Sequence, residues 1–296
     1  MTTTALLGDK PINRIGLGAM QLAGPGVFGP PRDPDGVRAV LRRAIELGVD
    51  HIDTAQYYGP DVVNDLIRES LYPYPEGLKL VTKVGARRDD QGAWLPAQRP
   101  AELRAGVEDN LRSLRVERMD LVNLRLLSTE GSDELLGEQL GTLEDLRTEG
   151  KLDLIGISEA GTGAVRRALE LVEIAEVQNS YSVVNRSGED VLEFCIARDI
   201  AFVPYFPLGS AFTGGPRQLA QDPAVAGVAE RRGATVTQVA LAWLLSRYER
   251  MLLIPGTSSV QHLEENLAAA DVELDEHDLA ELEKAVQLGD PLTSRS

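Results

Sequence analysis

One alternation constrains this chain more than any other feature. Short apolar runs recur, and each is followed by a stretch with apolar residues at helical spacing. Residues 15–18, His51–Asp53, Leu78–Lys83, Asp120–Arg125, Leu152–Ser158, Ile174–Gln178, Ala201–Tyr205 and Met251–Pro255 read as strands. Helical spacing fills the intervals at Asp35–Leu47, Val62–Leu71, Ala101–Leu114, Asp133–Glu149, Thr162–Leu171, Glu189–Arg198, Val225–Arg232 and Val236–Ser246. Two more helices, Val260–Ala270 and Asp275–Val286, follow the last strand. Strands joined through helices pair in parallel, and eight such units close into an α/β, (β/α)8 TIM barrel. The 296 residues suit one domain of this kind, spanning 1–296. Ahead of it, the apolar runs 5–7 and 12–15 flank a Gly8-Asp9 turn. An N-terminal β-hairpin capping the barrel bottom is expected there. Gly24–Asp33 and Val84–Pro100 read as irregular loops.

In such barrels the chemistry sits at the C-terminal ends of the strands. Here those ends carry Gly18, Asp53, Lys83, Arg125, Ser158, Gln178, Tyr205 and Gly256. Asp53 and Lys83 end consecutive strands, and Tyr58 lies in the turn after the first. A cation beside a phenol lowers its pKa from about 10, and a carboxylate holds the lysine in place. Tuned in this way, a phenol is a proton donor for a carbonyl oxygen. A purely structural Asp–Lys ion pair is the competing reading.

Charge narrows the partners. A formal net charge of -16 argues against nucleic acid and against binding anionic membranes through a basic patch. Cys195 is the single cysteine, so no internal disulfide is expected. His51, His262 and His277 are the only histidines, too few for a His-rich metal site. With no long apolar run and no basic-then-apolar leader, the expectation is a cytoplasmic protein acting on a small molecule.

The runs G-V-D-H-I-D-T-A-Q-Y-Y-G, L-V-T-K-V-G, I-G-I-S, V-Q-N-S-Y and P-Y-F-P-L-G stand in this order along the chain. Together they resemble the aldo-keto reductase family. I-P-G-T-S-S-V-Q-H-L-E-E-N is similar to the version found in a bacterial subgroup that includes pyridoxal reductases. The resemblance implies an NADP-dependent oxidoreductase that reduces aldehydes or ketones by direct hydride transfer. It implies Tyr58 as the proton donor, rather than the adjacent Tyr57, because the family's tyrosine directly precedes the glycine. Lys83 and Asp53 would tune it.

Two positions depart from the family pattern. The family's fourth catalytic residue, a histidine, is matched by Arg125. Arginine donates hydrogen bonds but relays no proton, so it would hold the substrate oxygen or help lower the phenol pKa. Where relatives carry an asparagine on the nicotinamide carboxamide, this chain has Glu159. Opposite charges on neighbouring strands suggest an Arg125–Glu159 ion pair beside the nicotinamide.

By the same resemblance Ser158 and Gln178 would contact the carboxamide, and Tyr205, followed by Pro207 and Leu208, would stack on the ring. Gly18, Ala19 and Met20 would lie near the ribose, and Glu265 and Asn266 near adenine. Gly256 and His262 stand where many relatives place Lys and Arg on a 2′-phosphate. Thr257, Ser258 and Ser259 remain at a helix start, where hydroxyls and open N–H groups bind phosphate or merely cap the helix. NADPH over NADH is expected. Gln21, Tyr57, Trp94, Arg125 and the Gly209–Pro216 loop are the expected substrate contacts, and the short tail after the last helix implies an open pocket. Arg125 keeps open a cofactor-binding regulator with little turnover, and Lys83 a Schiff-base lyase.

Overall fold

The structure, a computed structural model, describes residues 4–129, 133–209 and 215–287, the side chains of 133 and 134 excepted. Strand β1 (Thr4–Leu7) pairs antiparallel with β2 (Lys10–Asn13), so Gly8 and Asp9 form a two-residue turn. Gly8 adopts φ of 60° there, a value glycine takes without strain. The chain then gives β3 (Leu17–Gly18), β4 (His51–Asp53), β5 (Lys79–Val84), β6 (Ala86–Arg88), β7 (Trp94–Pro96) and β8 (Met119–Arg125). Next come β9 (Leu152–Ser158), β10 (Glu176–Ser180) and β11 (Ala201–Tyr205).

Seven strands form one parallel sheet in the order β11-β10-β9-β8-β5-β4-β3. The eighth segment closes it by bridges instead of a continuous ladder. Met251 bridges Phe202 on one side, while Leu253 and Gly256 bridge Ile15 and Gly18 on the other. Leu252 N–H donates to Phe202 O at 3.0 Å and Gly16 N–H to Leu253 O at 2.8 Å. Pro255 has no N–H to extend this ladder. At Gly18 the closure leaves no room for a side chain, since a Cβ would stand 2.3 Å from Ile254 O. The expected barrel is formed.

The period of two in each strand separates two cores. Val122, Leu124, Ile155, Ile157, Val177, Phe202 and Leu253 face outward and pack under the helices. Val81, Leu121, Ala201, Val203, Leu252 and Ile254 face the barrel axis. Leu7 and Ile12 of the hairpin join that inner cluster and plug the bottom, as expected. Outside the barrel, Thr54 and Thr82 sit next in sequence to Asp53 and Lys83. Thr54 Oγ1 donates to Asn64 Oδ1 at 2.8 Å and Thr82 Oγ1 to Asn110 Oδ1 at 2.7 Å, tying both strand ends to two helices.

The structure corrects several local expectations. Val84–Pro100 is not irregular: β6 and β7 pair antiparallel within it. Arg88 holds this hairpin by donating to the Val27 and Gly92 carbonyls at 2.9 Å each, a long-range clamp that no local pattern signals. β10 runs on to Ser180, and a further helix occupies Pro216–Gln221. Of the described residues, none forms a helix long and apolar enough to cross a membrane.

Buried Arg14 ties the closing segment to the helix before it, donating to Met251 O at 3.3 Å and to Leu245 O of that helix at 2.7 Å. Arg14→Met leaves these carbonyls without their donor and should destabilise the fold by about 2–4 kcal/mol. Urea denaturation of the variant beside the parent chain measures this.

Candidate active site

The upper ends of the strands open into a cavity of about 370 Å³ with mostly apolar walls. Of the expected catalytic residues, Asp53, Tyr58, Lys83 and Arg125 all line it. So do Gly18, Met20, Gln21, Tyr57, Trp94, Ser158, Glu159, Gln178, Tyr205, Pro207, Leu208 and Gly256. Ala19 is buried behind the wall. Thr257, Ser258, His262, Glu265 and Asn266 lie beyond Gly256, at and in the helix Val260–Leu267. Gly209 and Pro216 line the cavity, but residues 210–214 of the expected substrate loop, like the tail 288–296, lie outside the described residues.

At the floor, the Lys83 ammonium donates to Asp53 Oδ1 and to Thr54 O, the latter at 3.2 Å. Their side chains are only 7% and 5% exposed, so the charges are paired away from water. Gln178 Nε2 donates to the other carboxylate oxygen at 2.9 Å. Asp53 is thus gripped from two strands. Gln178 Oε1 is buried and has no hydrogen-bond partner among the described residues.

Tyr58 is positioned by a tight turn. Its N–H donates to Ala55 O at 3.0 Å, and Gly59 follows with φ of 90°. The ring lies against the lysine, with Lys83 Nζ 5.3 Å from its centroid. Burial pushes the Tyr58 phenol well above its ordinary value, and the Asp53 carboxylate adds to this; the Arg125 guanidinium pulls it down. Tyr57 is buried too, edge-on to Tyr58 and to Trp94 at 5.5 Å each. Trp94 stands on β7, so the hairpin missed by sequence reading builds one wall. Arg88 and Arg125 flank the Trp94 ring at 4.2 and 5.9 Å.

The expected Arg125–Glu159 ion pair is not formed. The register sets Arg125 opposite Ser158, and the chain then turns at Glu159 with φ of 61°. That turn carries Glu159 away toward β11, where the Tyr205 hydroxyl donates to its Oε1. Tyr205 also meets Phe206 edge-on at 5.1 Å.

At the far end, Ser259 caps the helix Val260–Leu267 by accepting from His262 N–H at 3.4 Å. Thr257 Oγ1 accepts from Ser259 N–H at 3.1 Å. Ser258 and His262 are exposed beside this first turn, whose leading N–H groups have no partner within the helix. Sequence reading also missed Glu176 and Asn123, which lie inside the barrel beneath the site. A carboxylate within the apolar run I-A-E-V-Q was the available signal.

Comparison with known proteins agrees with this geometry. The model of the aldo/keto reductase family matches residues 14–287. Pyridoxine 4-dehydrogenase of Escherichia coli is 47% identical over 285 residues, covering 95% of this chain and 98% of that protein. An uncharacterized oxidoreductase of Schizosaccharomyces pombe is 36% identical over 281 residues, covering 95% and 89%. A crystal structure of an aldo/keto reductase from Klebsiella pneumoniae in complex with NADP and acetate superposes with a TM-score of 0.79 at 26% identity, covering 96% of this chain and 95% of that one.

Lys83→Met should leave the Asp53 charge buried and unpaired, at a cost of about 3–5 kcal/mol. Adding Asp53→Asn should restore part of that stability. Equilibrium unfolding of the single and double variants tests the pairing, and strictly additive losses would contradict it.

Proposed function

This chain belongs to the aldo/keto reductase family, and we propose that it reduces aldehydes, pyridoxal among them, to alcohols with NADPH. The observation that carries this reading is the placement of Tyr58. A phenol held protonated by burial faces an apolar cavity, beside a buried Asp53–Lys83 pair and within the field of Arg125. Pyridoxal is included because the Escherichia coli relative is a pyridoxine 4-dehydrogenase. NADPH is favoured because a Klebsiella pneumoniae aldo-keto reductase at 26% identity was crystallised with it.

The residues present fit such a dinucleotide. The buried, unpartnered Gln178 Oε1 suits the N–H of a carboxamide, and Ser158 and Tyr205 line the same cavity. Thr257, Ser258 and the open first turn of the helix Val260–Leu267 suit a phosphate. Bound there, the reduced nicotinamide would supply hydride to the carbonyl carbon.

The chain's own part is proton delivery and charge control. Tyr58 gives its proton to the carbonyl oxygen as negative charge develops there. Arg125 steadies that charge and the forming phenolate. Asp53 keeps Lys83 fixed under the ring and supports the position of Gln178. Apolar walls around Tyr57, Trp94 and Phe206 strengthen each of these interactions by keeping the dielectric low. Because Lys83 is paired with Asp53 and bound to Thr54 O, it is poorly placed as a free amine nucleophile.

NADPH oxidation against an aldehyde panel including pyridoxal, with NADH in parallel, tests the reading. Turnover with a higher kcat/KM for NADPH is expected. Tight NADPH binding without turnover on any aldehyde would instead favour a cofactor-binding regulator. Within the active enzyme, Arg125→Leu should lower kcat/KM by about a hundredfold, the scale of losing one donor to a developing oxyanion.

A further inference from the structure

Below the catalytic layer, the barrel interior holds a polar group that the reduction described above does not use. Glu176 stands two residues before Gln178 on β10, so it points into the barrel one layer down. It is 2% exposed. Asn123 on β8 donates to Glu176 Oε1 at 2.7 Å.

These two residues are not on adjacent strands: β9 runs between them. Their bond passes over Gly156, which is paired with Asn123 on one side and Glu176 on the other. A Cβ on Gly156 would stand 2.2 Å from Asn123 Oδ1 and 2.9 Å from Glu176 Cγ. The glycine is what lets the two side chains meet. Glu176 also shares a cavity of about 10 Å³ with Asp53 and His51, directly under the Asp53–Lys83 pair.

We propose that Glu176 is a positioning residue for carbonyl reduction, working as a neutral acid beneath Asp53 and Lys83, and that its ionisation weakens proton donation by Tyr58. The proposal rests on the reductase reading for its effect on rate, but not for the titration itself.

The charges facing Glu176 are few. Asp53 on β4 repels a second carboxylate, Lys83 on β5 attracts it, and neutral Asn123 on β8 favours it by one hydrogen bond. His51 on β4 lines the same cavity. Lysine is already committed to Asp53, so burial dominates and pushes the Glu176 carboxyl up to about 7. Below that pH the floor carries the neutral Asp53–Lys83 pair alone. Above it a second buried anion faces a site where Tyr58 must itself become negative as it gives up its proton. That charge raises the barrier to proton donation.

The sign for stability follows from the same shift. An acid whose folded pKa is raised binds more protons folded than unfolded between its two values. Its contribution is therefore lost as pH rises from about 4.5 to about 7.

Glu176→Gln keeps the shape and the bond to Asn123 while removing the charge. In the wild-type enzyme, kcat/KM for aldehyde reduction should fall about fivefold as pH passes from 6 to 8.5, the scale of one buried charge nearby. In E176Q that limb should be absent. Without substrate or cofactor, wild-type Tm should drop relative to E176Q across pH 5–8, whereas a merely structural role gives a constant offset. A limb that persists in E176Q, or a Tm difference independent of pH, overturns the proposal. So does a limb removed by His51→Gln instead. A protein that turns over no aldehyde defeats the reductase reading, while the Tm profile still decides the titration of Glu176. Should E176Q not fold, the protonated-carboxyl infrared band of the wild type takes its place. Loss of that band between pH 6 and 8.5 supports the proposal, and an unchanged or absent band overturns it.

Discussion

The buried ion pair between Asp53 and Lys83 is the interaction on which the rest of this site depends. Two charges at 5% and 7% exposure are tolerable only because each satisfies the other and further hydrogen bonds take up what is left. Thr54 O and Gln178 Nε2 complete that set. The pair in turn fixes the ends of β4 and β5, and the network through Thr54, Thr82, Asn64 and Asn110 locks the same ends from outside. Tyr58 then rests against a floor whose two strand ends are held from inside and outside the barrel. Lys83 lies 5.3 Å from the ring centroid of Tyr58, and the Arg125 guanidinium lowers the phenol against the effect of burial.

The barrel turns this local chemistry into a site. Its period of two sends Val81, Leu121 and Val203 to the axis as packing. Two positions further along β5 and β11, Lys83 and Tyr205 reach the cavity from the same face, while Asn123 on β8 lies beneath it. The hairpin beneath closes the floor with Leu7 and Ile12, and the bridges at Gly18 and Gly256 close the wall. Glycine is needed at Gly18 and Gly156 for the same reason: another atom already occupies the space of a Cβ.

Much of this was legible in the sequence because it is periodic. The alternation of runs located the barrel strands to within a few residues, and the barrel rule then pointed to Asp53, Lys83, Arg125, Ser158, Gln178 and Tyr205 at the C-terminal strand ends. What stayed hidden depends on contacts distant in sequence or on a single backbone angle. β6 and β7 have little apolar alternation and are held by Arg88 reaching carbonyls at Gly26 and Val27. Arg125 and Glu159 looked complementary, but a left-handed turn at Glu159 gives its carboxylate to Tyr205. Glu176 carried no local signal of its partner, because its bond to Asn123 crosses an intervening strand.

Proton delivery by Tyr58 is the step on which the proposed reduction rests. Aldehyde reduction by Tyr58→Phe at saturating NADPH, with cofactor binding followed by fluorescence, tests it most directly. A loss in kcat of about 10²–10⁴-fold is expected, with NADPH affinity nearly unchanged. Turnover equal to that of the parent enzyme would contradict it and send the search for the donor to another group in the cavity.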